Sequence, residues 1–180
     1  MKEIEVKILD FDEKSVRENL KKAGARYGGK VEQKRVVFDA IPDTTKEDEI
    51  FRVRTDGKRT TLTWKHRDNS SSRIDNTEEI EVVVSDFDKT VDIISKLWKG
   101  RPPYYQESKR EKWDYNGTEI AIITWPLVPS FLEIEGESEA QIREAIKELG
   151  ITGKDIGNTG LWVVFDKYGQ HGKDAGVLRF

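Results

Sequence analysis

Charged and apolar residues alternate in several short segments of this chain. The clearest are Glu3-Ile4-Glu5-Val6-Lys7-Ile8, Ile50-Phe51-Arg52-Val53-Arg54, Glu79-Ile80-Glu81-Val82-Val83 and Leu132-Glu133-Ile134-Glu135. A period of two residues is typical of a β-strand, whose successive side chains point to opposite faces. Each segment is therefore predicted to be a strand with one charged face and one apolar face.

Other segments add strands and helices to this pattern. Further strands are predicted over residues 36–39, 60–65, 109–115 and 118–123, and Asn116-Gly117 favours a hairpin between the last two. Helical spacing and capping residues predict helices over 13–23 after Asp12, over 87–97 after Asp86, from Ser138-Glu139-Ala140-Gln141 to Leu149-Gly150, and a short one around 162–168. A flexible loop is predicted over 68–76. We therefore expect one α+β domain with about eight strands, mostly antiparallel.

Composition excludes several classes of function. The chain has 31 Lys and Arg against 34 Asp and Glu, so its net charge of -3 creates no broad field for nucleic acid or membranes. It has no cysteine, which excludes disulfides, thiolate metal sites and a cysteine nucleophile. No run of about 18 apolar residues is present. These features predict a cytoplasmic protein that binds neither nucleic acid nor membrane.

The composition of the charged rows indicates a site. Charged rows are usually a solvated face of an antiparallel sheet. Here carboxylates concentrate in some strands, while Arg and Lys concentrate in others. If about eight strands close into an antiparallel barrel, these rows would line a lumen, with the helices packed outside. Converging carboxylates would then require hard cations such as Mg²⁺ or Mn²⁺, and the basic rows would require a polyanion such as polyphosphate.

The order of these segments resembles the CYTH or triphosphate tunnel metalloenzyme family, which includes class IV adenylyl cyclases, thiamine triphosphatases and inorganic triphosphatases. Residues 3–7 are similar to its N-terminal ExExK signature, 51–54 to its basic strand and 61–65 to its lysine strand. Residues 79–81 are similar to its second acidic strand, Arg110 to its arginine, and 131–136 to its final acidic strand. The resemblance covers nearly the whole chain.

The resemblance implies a role for each charged residue. Two divalent cations would be bound by the carboxylates of Glu3, Glu5, Glu133 and Glu135. The second acidic strand would add ligands or polarise water through Glu79 and Glu81. The phosphates would be held by Lys7, Arg52, Arg54, Lys65 and Arg110. Of these, Lys7, Lys65 and Arg110 are predicted to act in catalysis.

Two positions depart from the family pattern. Ile123 stands where the family commonly has an aspartate that completes the metal site, and Ser108 stands where a basic residue is common. Because isoleucine cannot ligate a metal, we expect weaker cation binding. Ile123→Asp is therefore predicted to raise metal-dependent activity.

Three functions remain open at this point. The first is metal-dependent hydrolysis of inorganic triphosphate or an organic triphosphate. The second is cyclisation of ATP to cyclic AMP with release of pyrophosphate. The third is a binding module for polyphosphate or nucleotide with little turnover. A homodimer could form through an exposed apolar strand edge or helix face.

Overall fold

The computed structural model describes residues 2–39, 47–68, 77–99, 102–170 and 177–180. They form an α+β fold in which four helices accompany one large sheet. The helices are α1 (Glu13–Lys22), α2 (Phe87–Leu97), α3 (Glu139–Glu148) and α4 (Leu161–Lys167). The strands are β1 (Lys2–Glu3), β2 (Glu5–Leu9), β3 (Arg26–Asp39), β4 (Glu47–Thr55), β5 (Thr60–Asp68), β6 (Thr77–Val84), β7 (Tyr104–Tyr115), β8 (Thr118–Thr124), β9 (Phe131–Glu135), β10 (Lys154–Asp155) and β11 (Val177–Leu178).

The helices begin at the residues that local capping predicts. The side chains of Asp12, Asp86 and Ser138 each accept a hydrogen bond from a backbone N–H in the first turn of α1, α2 and α3. The short helix α4 begins one residue before the predicted range. Asn116 and Gly117 both have positive φ, 52° and 78°, as the predicted hairpin turn requires. The predicted loop over 68–76 lies outside the described residues except for its first residue, which ends β5.

The sheet contains more strands than predicted. Hydrogen-bonded neighbours follow the order β1-β6-β5-β4-β3-β7-β8-β9-β2-β10, and β11 pairs with β7. Among the described residues there are eleven strands, so the predicted number of eight is wrong. Strands β10 and β11 have two residues each, too short for a periodic pattern in the sequence, whereas β1 arises because the predicted strand over 3–8 divides at Ile4 into β1 and β2. The β11 to β7 pairing is parallel, whereas the other pairings are antiparallel as predicted.

The N-terminal segment touches both ends of the long ladder. Strand β1 pairs with β6, where Glu3 lies opposite Thr77. Strand β2 pairs with β9, where Lys7 lies opposite Glu133. Only Ile4 separates β1 from β2. The same eight residues of chain therefore connect the β6 side of the sheet to the β9 side.

One face of the sheet packs against α1 and α3. Val6, Ile120 and Ile134 are fully buried there, against Leu20 of α1 and Ile142 of α3. These sheet residues are the apolar members of the alternating rows, so their burial leaves the charged members on the opposite face. None of the helices in the described ranges, the longest of which has eleven residues, is long and apolar enough to span a bilayer.

A second apolar cluster lies at one end of the opposite face. Leu9, Ile123 and Phe131 pack there with Val164 and Phe165 of α4. Leu9 follows Lys7 by two residues, and Phe131 precedes Glu133 by two, so each lies on the same face as its charged neighbour. The charged rows therefore end against an apolar cluster that α4 covers.

Candidate functional site

Strand register brings the predicted charged residues onto one face. Directly opposed residues in an antiparallel ladder share a face. Lys7 lies opposite Glu133, Lys65 lies opposite Glu79, and Thr63 lies opposite both Arg52 and Glu81. Extending this register across the sheet gives the charged face, which carries Glu5, Lys7, Arg35, Arg52, Arg54, Lys65, Glu79, Glu81, Arg110 and Glu133. The two segregated charge types in the sequence thus meet on one surface.

Most cations on this face contact a carboxylate. The Lys65 Nζ lies 2.6 Å from a Glu79 oxygen, and the Arg54 Nη2 lies 3.1 Å from Glu81. On the same face, further along the ladder, the Arg110 Nη1 donates to Glu133 at 2.8 Å. Lys7 lies between two carboxylates, with its Nζ 2.5 Å from Glu5 and 3.7 Å from Glu133. Eight predicted site residues therefore form ion pairs, and four of them, Glu5, Lys7, Arg110 and Glu133, form one network.

Two arginines of the charged face differ from the rest. Within the described part of the chain, neither Arg35 nor Arg52 has a carboxylate oxygen within 4.0 Å. Arg52 is 9% exposed, and the Nε atoms of Arg35, Arg52 and Arg110 are buried with no hydrogen-bond acceptor among the described residues. Guanidinium N–H groups are strong donors, and leaving one buried and unbonded is costly. The face therefore presents unused donors to an anion.

The pKa values of three residues on the charged face are shifted by burial and by the neighbouring positive charges. Burial, followed by the positive charges of Arg52 and Arg54, lowers the pKa of Arg35 well below its ordinary value. Burial and then Arg52 lower the pKa of Arg54 to about 10. Burial alone would raise the pKa of Glu133, but Lys7 and Arg110 outweigh it and lower that pKa to about 2. An added anion would stabilise the charged forms of both arginines.

The predicted metal ligands are placed less completely. Glu135 is exposed at the end of β9, and the backbone of Glu3 lies opposite Thr77. No group of three or more Asp, Glu or His in the described ranges is arranged to hold a metal ion. Glu79, Glu81 and Glu133 instead contact Lys65, Arg54 and Arg110. Carboxylate oxygens are the donors that Mg²⁺ and Mn²⁺ prefer, so the donor set fits such ions once carboxylates exchange amine or guanidinium partners for a metal.

The two departures from the family pattern have different surroundings. Ile123 is 4% exposed within the apolar cluster beneath α4. Ser108 is 2% exposed, and its Oγ accepts a hydrogen bond from the Arg35 Nη2 at 2.5 Å. The guanidinium of Arg35 on β3 therefore lies next to the side chain of Ser108 on β7.

Sequence reasoning missed two charged residues of this region. Arg35 lies immediately before the predicted strand 36–39, which the structure extends back to residue 26, so its place in a strand was not recognised. Glu119 contacts Arg110 at 3.0 Å and Lys112 at 2.9 Å, and it lies on the predicted strand 118–123. Its alternation with Ile120 was the available signal. Lys109, next to Arg110 on β7, points to the opposite face, and its Nζ lies 3.4 Å from Glu32.

Comparison with known proteins agrees with this architecture. The CYTH domain family profile matches residues 1–156. A Methanocaldococcus jannaschii protein, provisionally named an adenylate cyclase, is 33% identical over 152 residues, which cover 83% of this chain and 84% of the relative.

Two solved structures share the fold. The PH1012 protein of Pyrococcus horikoshii OT3 has a TM-score of 0.73 and 20% identity, covering 90% of this chain and 98% of the other. HpAC1 from Hippeastrum, described as an adenylyl cyclase candidate with a dominant triphosphatase activity, has a TM-score of 0.57 and 14% identity. That comparison covers 93% of this chain and 96% of HpAC1. Since the profile spans most of the chain and the charged rows lie on one face of the shared fold, this chain belongs to the CYTH domain family.

Proposed function

We propose that this protein is a metal-dependent triphosphatase that hydrolyses inorganic triphosphate or an organic triphosphate. The observation that carries the proposal is the charged face, on which Arg52 is buried with no carboxylate within 4.0 Å in the described ranges. A buried guanidinium with no carboxylate partner in the described ranges is costly unless an anion occupies the site for part of the catalytic cycle. The family relatives named for triphosphatase and adenylyl cyclase activities support the same substrate class.

The proposal includes closure of the sheet into a barrel. Strands β1 and β2 belong to one N-terminal segment, and they pair with β6 and β9, at opposite ends of the ladder. A segment that bridges both ends supports a closed sheet, which would turn the charged face inward as the lining of a tunnel. Removal of bulk water from such a tunnel would strengthen each contact between an arginine and a phosphate.

The side chains of the face divide the work in this proposal. Arg52 and Arg54 hold phosphate oxygens, because a planar guanidinium can donate two parallel hydrogen bonds to one phosphate. Lys7, Lys65 and Arg110 also bind phosphate and stabilise the negative charge that shifts onto oxygen as the terminal P–O bond breaks. Water attacks the terminal phosphorus, and orthophosphate separates from the remaining diphosphate. Proton transfer from the water is assigned to the acidic row of Glu79 and Glu81.

Divalent cations complete the proposed site. Glu3, Glu5, Glu133 and Glu135 would hold Mg²⁺ or Mn²⁺, two ions by family resemblance, with Glu79 and Glu81 as further ligands. Bound ions supply charge neutralisation and lower the pKa of water. On binding, carboxylates would exchange lysine and arginine partners for metal, and the released cations would turn to the phosphates.

Product analysis tests the proposal. Purified protein is incubated with tripolyphosphate or ATP and Mg²⁺ or Mn²⁺, and phosphate, pyrophosphate and cyclic AMP are measured separately. We expect orthophosphate from tripolyphosphate, abolished by EDTA. The variant Arg26→Gln should release orthophosphate as wild type does, since Arg26 is exposed and pairs with Asp114 at 3.3 Å. Cyclic AMP with pyrophosphate as the main products of ATP would instead establish the adenylyl cyclase alternative, which the name of the Methanocaldococcus jannaschii relative favours.

A binding module with little turnover is the second alternative. It is favoured by Ile123, which is packed in an apolar cluster where the family commonly has an aspartate. Calorimetric binding of tripolyphosphate without measurable phosphate release would select this function.

A homodimer is also part of the proposal. Exposed apolar side chains occur on β6 and on α2, where Ile80, Val82, Ile93 and Leu97 are each at least half exposed. Burial of these side chains between two copies would remove apolar surface from water. Sedimentation equilibrium tests this, with Leu97→Glu expected to shift the mass toward that of a monomer.

A further inference from the structure

Arg35 occupies an electrostatically unfavourable position. In the register of β3 and β4 it lies directly opposite Arg54, and like charges placed opposite each other destabilise a sheet. Its other cross-strand neighbour is Gln106, which is neutral. The Arg54 guanidinium contacts Glu81, but no carboxylate in the described ranges lies within 4.0 Å of Arg35. The fold therefore holds a positive charge at Arg35 without neutralising it.

Three contacts fix the orientation of this guanidinium. Its Nη2 donates to Ser108 Oγ at 2.5 Å and to Gln33 Oε1 at 3.1 Å. Its Cζ lies 4.6 Å from the centroid of the buried Trp125 ring, a cation–π distance. Its Nε is buried with no acceptor in the part of the chain that the structure describes. Neutral contacts of this kind orient a cation while leaving its charge available to a ligand.

The contact between Arg35 and Ser108 places a cation next to a position where the family resemblance predicts a basic residue. Ser108 stands two residues before Arg110, where a basic residue is expected from the family resemblance. Arg35 reaches Ser108 from the neighbouring strand, so its guanidinium lies where the side chain of a basic residue at 108 would begin. A small side chain at 108 leaves room for this approach, whereas a lysine or arginine there would compete for the same space.

We propose that Arg35 is a triphosphate-binding residue of this site, and that it supplies from β3 the positive charge that Ser108 does not supply from β7. The inference rests on the proposed function and identifies a contact specific to this chain. With Arg54 opposite it, Arg35 forms a pair of guanidinium groups suited to one phosphate with several free oxygens. Binding of the triphosphate relieves the repulsion between them.

Calorimetry with tripolyphosphate and Mg²⁺ tests this in the full chain. Arg35→Gln is expected to weaken binding about 10- to 100-fold, as loss of a charge-assisted hydrogen bond would. Without ligand, the melting temperature of this variant should equal or exceed that of wild type, because an opposed like charge is removed. A residue with a purely structural role would lower the melting temperature and leave affinity unchanged. Arg26→Gln, on the same strand, is the matched control and should bind as wild type does.

A second variant tests the exchange between strands. Adding Ser108→Lys to Arg35→Gln should restore affinity to within a few-fold of wild type. Wild-type affinity in Arg35→Gln, or no recovery in the double variant, would overturn the proposal for Arg35 while leaving the proposed function intact. A wild-type protein that binds no tripolyphosphate would instead overturn the proposed function itself, and this inference with it.

Discussion

Replacement of Ile123 by aspartate should have two opposite effects, a loss of stability from poorer packing and a gain in metal binding. Ile123 is 4% exposed among Leu9, Phe131 and Phe165, so the change removes a buried aliphatic side chain and introduces a carboxyl group. Truncation of a buried isoleucine costs about 2–5 kcal/mol, and burial of a carboxyl group without full compensation adds about 1–3 kcal/mol. Arg110 lies directly opposite and offsets part of the second cost.

We therefore expect Ile123→Asp to be destabilised by about 4–6 kcal/mol without metal, which lowers the melting temperature by about 10–20 °C in a chain of this size. If the carboxylate completes a metal site, Mg²⁺ or Mn²⁺ should recover part of this loss, because a ligand that binds only the folded state stabilises it. The gain in metal-dependent phosphate release should then be visible at temperatures below the new transition.

Differential scanning calorimetry with and without metal measures both effects, and Ile123→Asn is the matched control. Asparagine has nearly the same shape as aspartate but carries no charge, so its packing loss should be similar and its recovery with metal smaller. An Ile123→Asp protein as stable as wild type without metal would refute the packing argument. Equal recovery of the Asp and Asn variants would refute the metal argument.

Three further predictions concern other parts of the fold. Arg52→Gln should weaken tripolyphosphate binding about 10- to 100-fold in calorimetry without lowering the melting temperature, since this arginine has no carboxylate within 4.0 Å in the described ranges; a stability loss at unchanged affinity would contradict it. Glu111→Gln should cost about 1–3 kcal/mol in urea unfolding at pH 7, because Glu111 accepts from Arg17 Nε at 3.0 Å and from Arg17 Nη2 at 3.1 Å. Burial raises the pKa of Glu111, but the hydrogen bond from Arg17 outweighs it, so the pKa in the folded protein lies below the ordinary value of 4.5. The stabilisation by ionised Glu111 is therefore present above about pH 4.5 and is lost as pH falls through the folded pKa. The Glu111→Gln variant should lack this pH dependence of stability. Gly153→Ala should cost about 2–4 kcal/mol in the same assay, since φ is +142° and the added Cβ would lie 2.5 Å from a backbone oxygen. Gly157→Ala, with open space around its Cβ, should cost only about 1–2 kcal/mol. Equal losses for the two variants would show that the contact at position 153 is relieved without strain.

The sequence alone determined the local elements of this protein. Asp12, Asp86 and Ser138 begin helices where capping chemistry predicts, because a side-chain oxygen and the first N–H groups of a helix lie within three residues of each other. Alternation also separated charged from apolar faces correctly, since the period of two belongs to the strand itself. The order of the charged rows was sufficient to identify the family.

Tertiary structure decided which side chains meet. The contact of Arg35 with Ser108 joins residues 73 positions apart by strand register, and the apolar cluster that contains both Ile123 and Phe165 joins residues 42 positions apart by helix docking. No local pattern contains either. The two-residue strands exist only because neighbouring backbone is available for pairing. Local chemistry thus specified the charges and their faces, whereas long-range pairing decided which charge is neutralised and which remains available to bind an anion.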